Sequence, residues 1–371
     1  MSILKKNLFV VFIVVTFIIS GCGGTNNTSA SQESSGIKVE AYNVDDYVTL
    51  GEYKGIEVES LKNSPVTDQD VESEINARLE EEAKYEVITD RDVIQKGDYV
   101  LINTIGKKDG VVIEGKADEY EYYEVGSGGY VEGIEKALVG KKPGLPFEIT
   151  VEYPKDYVVA SLAGQKVDFT VIIKSINKKT LPALNDEYVQ KKSQTAKTVA
   201  EYKEEVRKKL QEKKDDILKE YLQLSIKEKL MEKNTVSGFP KGMLDKMAAE
   251  YLLIDQDYAQ AANKSFKDFI KEVYNVDETQ YRERVTNKVT EEAKITMILE
   301  AIEKKENLTM TEEECNKAMT EYAIKNGYAS KEKLLEEYDE KSLKSYVQQQ
   351  KVLNWLIDNA KIVEPKSEAK Q

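Results

Sequence analysis

The sequence predicts two folded parts of different class: an α+β domain built as an antiparallel sheet around one short helix, and after it an all-α domain. Eleven of the 20 glycines lie between Gly97 and Gly164, whereas the 194 residues from Lys178 onward hold only Gly238, Gly242 and Gly327. Glycine supplies the positive φ of tight turns and weakens helix interiors, so its density separates a turn-rich sheet from long helices. The spacing of apolar residues also changes near Leu181, from the alternation of strands to the 3.6-residue repeat of helices. A chain of 371 residues, 40% hydrophobic and 33% charged, is long enough to bury more than one core.

The elements follow in order. "YKGIEVES" reads as a short strand, and "SPVTDQDVESEINARLEEEAKYE" as a helix capped by Thr67 or Asp68, with Val71, Ile75, Ala77 and Leu79 on its apolar face. In the glycine-rich part, 98–105, 147–153 and 167–176 read as strands, with Asp109-Gly110 as a hairpin turn. Between them "EGIEKALVG" has room for barely two helical turns before Gly140 and Pro143. Beyond Leu181, Val199, Tyr202, Val206 and Leu210 share a helix face that Ile217, Tyr221 and Leu224 continue. After a break at 237–240, Met243, Met247, Tyr251, Ile254 and Tyr258 form another. Ser265 with Asp268 and Thr311 with Glu314 are capping pairs, and Gly327 ends a helix whose core face holds Cys315. Leu343, Tyr346, Leu353 and Ile357 mark the last helix, for at least five in all.

Composition excludes several kinds of chemistry. A net charge of −13 without a concentrated basic block argues against nucleic acid as a partner. The absence of histidine removes Ser-His-Asp and Cys-His nucleophile systems and the HExxH zinc site. "GSGGYV" lacks the third glycine of a dinucleotide loop, and "GKKP" lacks the Ser/Thr that follows a phosphate-loop lysine. The acidic "DQD" triplets do not fit a calcium loop, so no cofactor or metal is expected.

The N-terminus reads as an export signal. Lys5 and Lys6 precede an unbroken apolar run from Leu8 to Ile19, too short for a stable membrane span and followed by small residues. Ile19-Ser20-Gly21-Cys22 resembles the bacterial lipobox, which implies cleavage before Cys22 and acylation of its thiol. The Gly/Ser/Thr/Asn tract that follows reads as a flexible tether. The expected location is the extracytoplasmic face of the cell membrane, held by lipid.

The glycine-rich stretch "VEGIEKALVGKKPGL", with "EYPKDYVVASLAGQKVDFTVII" downstream, resembles the FKBP-type peptidyl-prolyl isomerase domain. Val131, Gly133, Glu135, Ala137, Leu138, Gly140 and Gly144 stand in register with that family's pattern. The arm before it, "LPALNDEYV" after it and the helical remainder resemble trigger factor, the ribosome-associated chaperone family. That family's ribosome-docking head and its GFRxGxxP-like loop have no counterpart, so no ribosome contact is expected.

This resemblance implies an isomerase site at Tyr157, Phe169, Val131, Ile134 and Ile113, with Tyr157 as the hydrogen-bonding group. Thr104, Ile113 and Ile134 stand where the family has aromatic rings, and Glu132 where it has proline. The isoleucines keep the hollow apolar but forgo ring contacts, each worth about 0.5–1.5 kcal/mol. The implied partners are unfolded exported chains containing X-Pro bonds, and the 22 tyrosines and seven methionines offer adaptable contact surface for them. The predicted organisation is a signal peptide (1–21), tether (22–37), arm (38–90), FKBP-type domain (91–178), trigger-factor-like helical domain (179–364) and tail (365–371). The function predicted is an extracytoplasmic foldase. One alternative is a holdase with an inactive isomerase domain. Another is a solute-binding lipoprotein, for which the helical half provides none of the required strands.

Overall fold

The computed structural model describes residues 36–62, 64–114 and 119–365. The expected signal peptide, Cys22 and the tether through residue 35 lie outside the described residues, as does the tail from 366. In chain order the elements begin with β1 (Val48–Thr49), β2 (Glu57–Glu59), α1 (Asp68–Glu81), β3 (Lys84–Val87), β4 (Tyr99–Lys108), β5 (Val111–Glu114) and β6 (Glu121–Glu124). Next come α2 (Glu132–Leu138), β7 (Phe147–Glu152), β8 (Lys166–Thr180), α3 (Asp186–Lys192), α4 (Val199–Lys233) and β9 (Thr235–Val236). The chain finishes with α5 (Met243–Ala261), α6 (Phe266–Tyr274), α7 (Glu278–Glu306), α8 (Glu312–Lys325), α9 (Lys331–Leu335), α10 (Glu340–Asp358) and β10 (Lys361–Val363).

These elements form two compact units. Among the described residues, one contains those of 65–212; the other joins those of 36–64 with those of 213–365. The stretch 38–90, expected as one arm, is therefore divided, and so is the helical stretch 179–364. The reason is burial: Val44, Val48, Tyr53, Ile56 and Val58 enter the core of the helical unit. Val71, Ile75 and Leu79 instead bury with Tyr188, Val189, Tyr202 and Val206. Neither half of the arm has apolar surface enough to form a core alone, so each completes a different one.

In the 65–212 unit the sheet runs β3-β8-β4-β5, with β6 also on β4 and β7 also on β8. Every pairing is antiparallel. β8 alternates buried and more exposed residues along most of its length, so Val167, Phe169, Val171 and Ile173 fall on one face. They pack with Ile94, Val100, Ile102, Ile134, Leu138 and Tyr153 into a closed core. Asp109 and Gly110 have φ of +51° and +81°, as the hairpin turn requires. Thr67 caps α1 in a reciprocal pair with Asp70. Ala77, assigned from sequence to the apolar face of α1, is exposed.

The helical unit is organised on α7, whose Tyr281, Val285, Val289, Ala293, Met297 and Ile298 are buried. The N-terminal segment is part of it: β1 pairs with β9, and β2 pairs in parallel with β10 at the other end of the chain. Thr311 and Glu314 form a capping box, and Cys315 is buried. The face predicted along α4 does not continue. Ile217 and Leu224 are 49% and 57% exposed, and Leu222, Ile226 and Leu230 are buried instead. α4 crosses from one unit to the other, so its two ends bury different stripes in different cores.

Candidate functional site

The glycine-rich stretch folds around one carboxylate. Glu135, in the first turn of α2, accepts hydrogen bonds from the Gly126 and Gly128 N–H groups at 2.7 and 2.8 Å and from the Tyr123 hydroxyl. Gly126 and Gly128 have φ of +92° and +84°, which turns the two N–H groups on either side of Ser127 toward that acceptor. The Tyr123 hydroxyl in turn accepts the Tyr130 N–H at 3.0 Å. Gly133 serves a different purpose: a Cβ there would lie 3.0 Å from Val151 Cγ1, so its absence lets α2 sit close on β7. That contact buries Ile134 and Leu138 almost completely.

Four of the five residues expected at the site come together. Val131, Ile134, Tyr157 and Phe169 belong to one apolar cluster. Ile134 and Phe169 are each 1% exposed, so they form the packed layer beneath, while Val131 and Tyr157 are half-buried at its surface. Ile113 stands outside the cluster, 41% exposed on β5. The pairing of β4 with β5 shows why. Lys107 faces Val112 and Gly106 faces Glu114, so Ile113 is the extra residue of a β-bulge, which redirects its side chain. A bulge has no signature in the local sequence.

Two tyrosines that the sequence did not single out complete the cluster. Tyr153, 2% exposed, sits between the expected pair, its ring centroid 4.7 Å from Tyr157 and 6.5 Å from Phe169. Tyr130 is half-buried against the same cluster; its hydroxyl donates to Glu121 Oε1 at 2.6 Å and accepts from the Thr104 hydroxyl at 3.4 Å. Burial and the Glu121 carboxylate push the Tyr130 phenol well above its ordinary value.

Tyr157 differs from these neighbours. Many tyrosines of the chain have their hydroxyls tied to a carboxylate: Tyr42 to Glu300, Tyr53 to Glu306, Tyr99 to Glu124, Tyr188 to Glu82, Tyr251 to Glu292. Among the described residues the Tyr157 hydroxyl has no hydrogen-bond partner. Its ring is held edge-on by Tyr153, and its N–H donates to the Pro154 carbonyl at 3.1 Å. The arrangement is an oriented, unoccupied donor beside an apolar surface.

The helical unit carries a separate groove of about 800 Å³ between α4, α8 and α10. Leu308, Met310, Tyr322, Tyr346, Val347 and Trp355 line it, and lysines and acids rim it. Tyr322, Tyr346, Val347 and Trp355 lie on helices and Leu308 and Met310 on the connection between α7 and α8, and the repeat pattern of the sequence does not show that they converge.

The family described as FKBP-type peptidyl-prolyl cis-trans isomerase matches residues 91–175, and that described as bacterial trigger factor protein C-terminus matches 198–358. Trigger factor of Acetivibrio thermocellus is 34% identical over 321 residues, covering 85% of this chain and 73% of that protein. Trigger factor of Desulforamulus reducens is 35% identical over 321 residues, covering 85% and 72%. A solved trigger factor chaperone structure aligns over 84% of this chain and 72% of its own, at 21% identity and a TM-score of 0.40. Strands β4 to β7, most of β8 and helix α2 lie in the first matched range, helices α4 to α10 lie in the second, and relatives above 30% identity span both: the chain belongs to the trigger factor family, with an FKBP-type domain and a trigger factor C-terminal domain.

Proposed function

We propose that this chain is a foldase that catalyses cis/trans exchange of X-Pro bonds in unfolded polypeptides and holds those polypeptides on its helical unit. The observation that carries the first part is the unengaged Tyr157 hydroxyl beside the cluster of Val131, Ile134 and Phe169. Rotation about an X-Pro amide faces a barrier of about 18–20 kcal/mol, set by the loss of amide resonance. An apolar surface favours the twisted, less polar amide over the planar one. A hydroxyl donating to the client carbonyl fixes the peptide while its proline turns. The reaction moves no proton and requires no nucleophile, which suits a chain without histidine. The groove lined by Tyr322, Tyr346 and Trp355 supports the second part, because adaptable aromatic and Met surface accepts varied client segments.

The lipobox-like Ile19-Ser20-Gly21-Cys22 supports placing this foldase on the extracytoplasmic face of the membrane, anchored through Cys22 and acting on exported chains. Labelling with an alkyne-tagged fatty acid, present in the parent and lost in Cys22→Ser, tests the anchor.

The isomerase is tested by following exchange in an Ala-Leu-Pro-Phe p-nitroanilide peptide. Tyr157→Phe is expected to lower kcat/KM about tenfold, the effect of one hydrogen bond of about 1.4 kcal/mol in the transition state. A parent rate equal to that of buffer removes the isomerase reading. The holdase alternative then stands if the protein still suppresses aggregation of a denatured client.

A further inference from the structure

We infer that Tyr130 is the aromatic wall of the isomerase site, set in place by the relay from Glu135 through Tyr123, and that it contacts the prolyl ring of the client. The inference rests on the isomerase reading of the Tyr157 cluster. Its starting point is a deficit: Ile134 is buried, Ile113 is turned out on a bulge, and Thr104 has no ring. Tyr153 and Phe169 are 2% and 1% exposed, so their rings serve the core. The half-buried rings packed on that core are Tyr123, Tyr130, Phe147 and Tyr157.

Of these, Tyr130 is fixed from both ends. Its N–H donates to the Tyr123 hydroxyl, which donates to Glu135. Its own hydroxyl reaches Glu121 on β6 and Thr104 on β4. The Tyr123 ring lies 4.4 Å away, tilted at 56°, and supports it from the side. A ring anchored at its backbone and at its hydroxyl loses little further entropy when a ligand packs on it, which is the requirement for a binding wall. Tyr130 also immediately precedes Val131, one of the surface members of the cluster. Its hydroxyl partner Thr104 stands on the strand position where no ring is present, so a ring from the glycine turn reaches the place that β4 leaves without one.

A wall that touches proline equally in the planar and twisted amide affects KM more than kcat. In the Ala-Leu-Pro-Phe p-nitroanilide assay on the whole protein, Tyr130→Leu, which keeps apolar bulk without the ring, is expected to raise KM five- to tenfold with kcat changed less than twofold. Tyr130→Phe, which restores the ring, should bring KM back to within about threefold of the parent. Glu135→Gln, which weakens the relay and leaves the ring, should raise KM by an intermediate amount. An active parent whose KM is unchanged by Tyr130→Leu overturns the wall and leaves the isomerase reading standing; an inactive parent overturns both. Should Tyr130→Leu not fold, peptide titration of the parent decides. Titration with the same peptide should shift the Tyr130 ring resonances, and ring signals unmoved at peptide concentrations that saturate the Tyr157 signals overturn the proposal.

Discussion

Removing one oxygen from Tyr42 tests whether the N-terminal segment is a structural part of the helical unit. The Tyr42 hydroxyl donates to Glu300 Oε2 at 2.6 Å, across 258 positions of sequence. Glu300 lies on α7, half-buried, and burial pushes its carboxyl above the ordinary range while the Tyr42 hydrogen bond pulls it back. Glu303 and Asp45 nearby also raise it, and Lys304 lowers it. Tyr42→Phe therefore leaves a partly desolvated carboxylate without its donor. A hydrogen bond to a charged group is worth about 1.5–3 kcal/mol, and partial exposure places this one at the lower end, about 1.5 kcal/mol. With a urea slope of about 2 kcal/mol per molar, the unfolding midpoint should fall by about 0.7 M. Trp355, the single tryptophan, packs on this core with Lys54 Nζ 5.2 Å from its ring, so its fluorescence reports this unit.

The pH dependence has a definite sign. A carboxyl whose folded pKa is raised binds its proton more tightly in the folded state, so it weakens the fold at neutral pH and the loss lessens as pH falls through that raised value. Tyr42→Phe raises Glu300 further, so the gap between variant and parent should be widest at pH 7 and narrow toward pH 5. A midpoint within 0.2 M of the parent at pH 7, or a gap that widens on acidification, would refute the assigned role of this contact.

Two further expectations concern other parts of the chain. Lys209, Ser193 and Thr195 hold the Glu205 carboxyl down at about 2 against an ordinary 4.5. Its contribution is thus present above pH 4.5 and disappears as pH falls toward 2. Glu205→Gln should cost about 1–2 kcal/mol at pH 7 after allowance for solvent screening. It should also flatten the acid limb, as read from hydrogen exchange at the Ala196 and Tyr202 amides; an unchanged limb contradicts the assignment. At Gly51 a Cβ would lie 2.1 Å from the Lys233 carbonyl oxygen, and the Gly51 N–H donates to Asn234 Oδ1 at 2.8 Å. Gly51→Ala is expected to lose about 1–3 kcal/mol by crowding, seen as a lower melting temperature by Trp355 fluorescence. Gly238→Ala, where a Cβ meets nothing within 4 Å, should melt with the parent; equal melting of the two variants would disprove the close approach.

Much of what depends on neighbours a few residues apart was legible in the sequence, although Ala77, read on the apolar face of α1, is exposed. The glycine distribution separated sheet from helix, because positive φ and helix propensity are local properties. Ser265 with Asp268 and Thr311 with Glu314 cap their helices because the two partners sit three residues apart. The alternation along 147–153 and 167–176 placed Val151 and Phe169 inward. The grouping of Val131, Ile134, Tyr157 and Phe169 could be anticipated from the FKBP resemblance, but neither spacing nor composition brings those four positions together.

Tertiary structure decided what depends on distant partners. Residues 44–58 carry apolar side chains at no helical repeat, and only the core of α7 and the pairing with β9 and β10 give them a place. The bulge that turns Ile113 outward exists only because β4 and β5 pair in one register. Tyr130 lies in a turn whose sequence shows glycines, and its meaning comes from Glu121 and Thr104 on two separate strands. Sequence periodicity records which side of an element is apolar. It does not record which core that side meets, and α4, buried through Tyr202 and Val206 at one end and through Leu222, Ile226 and Leu230 at the other, meets two.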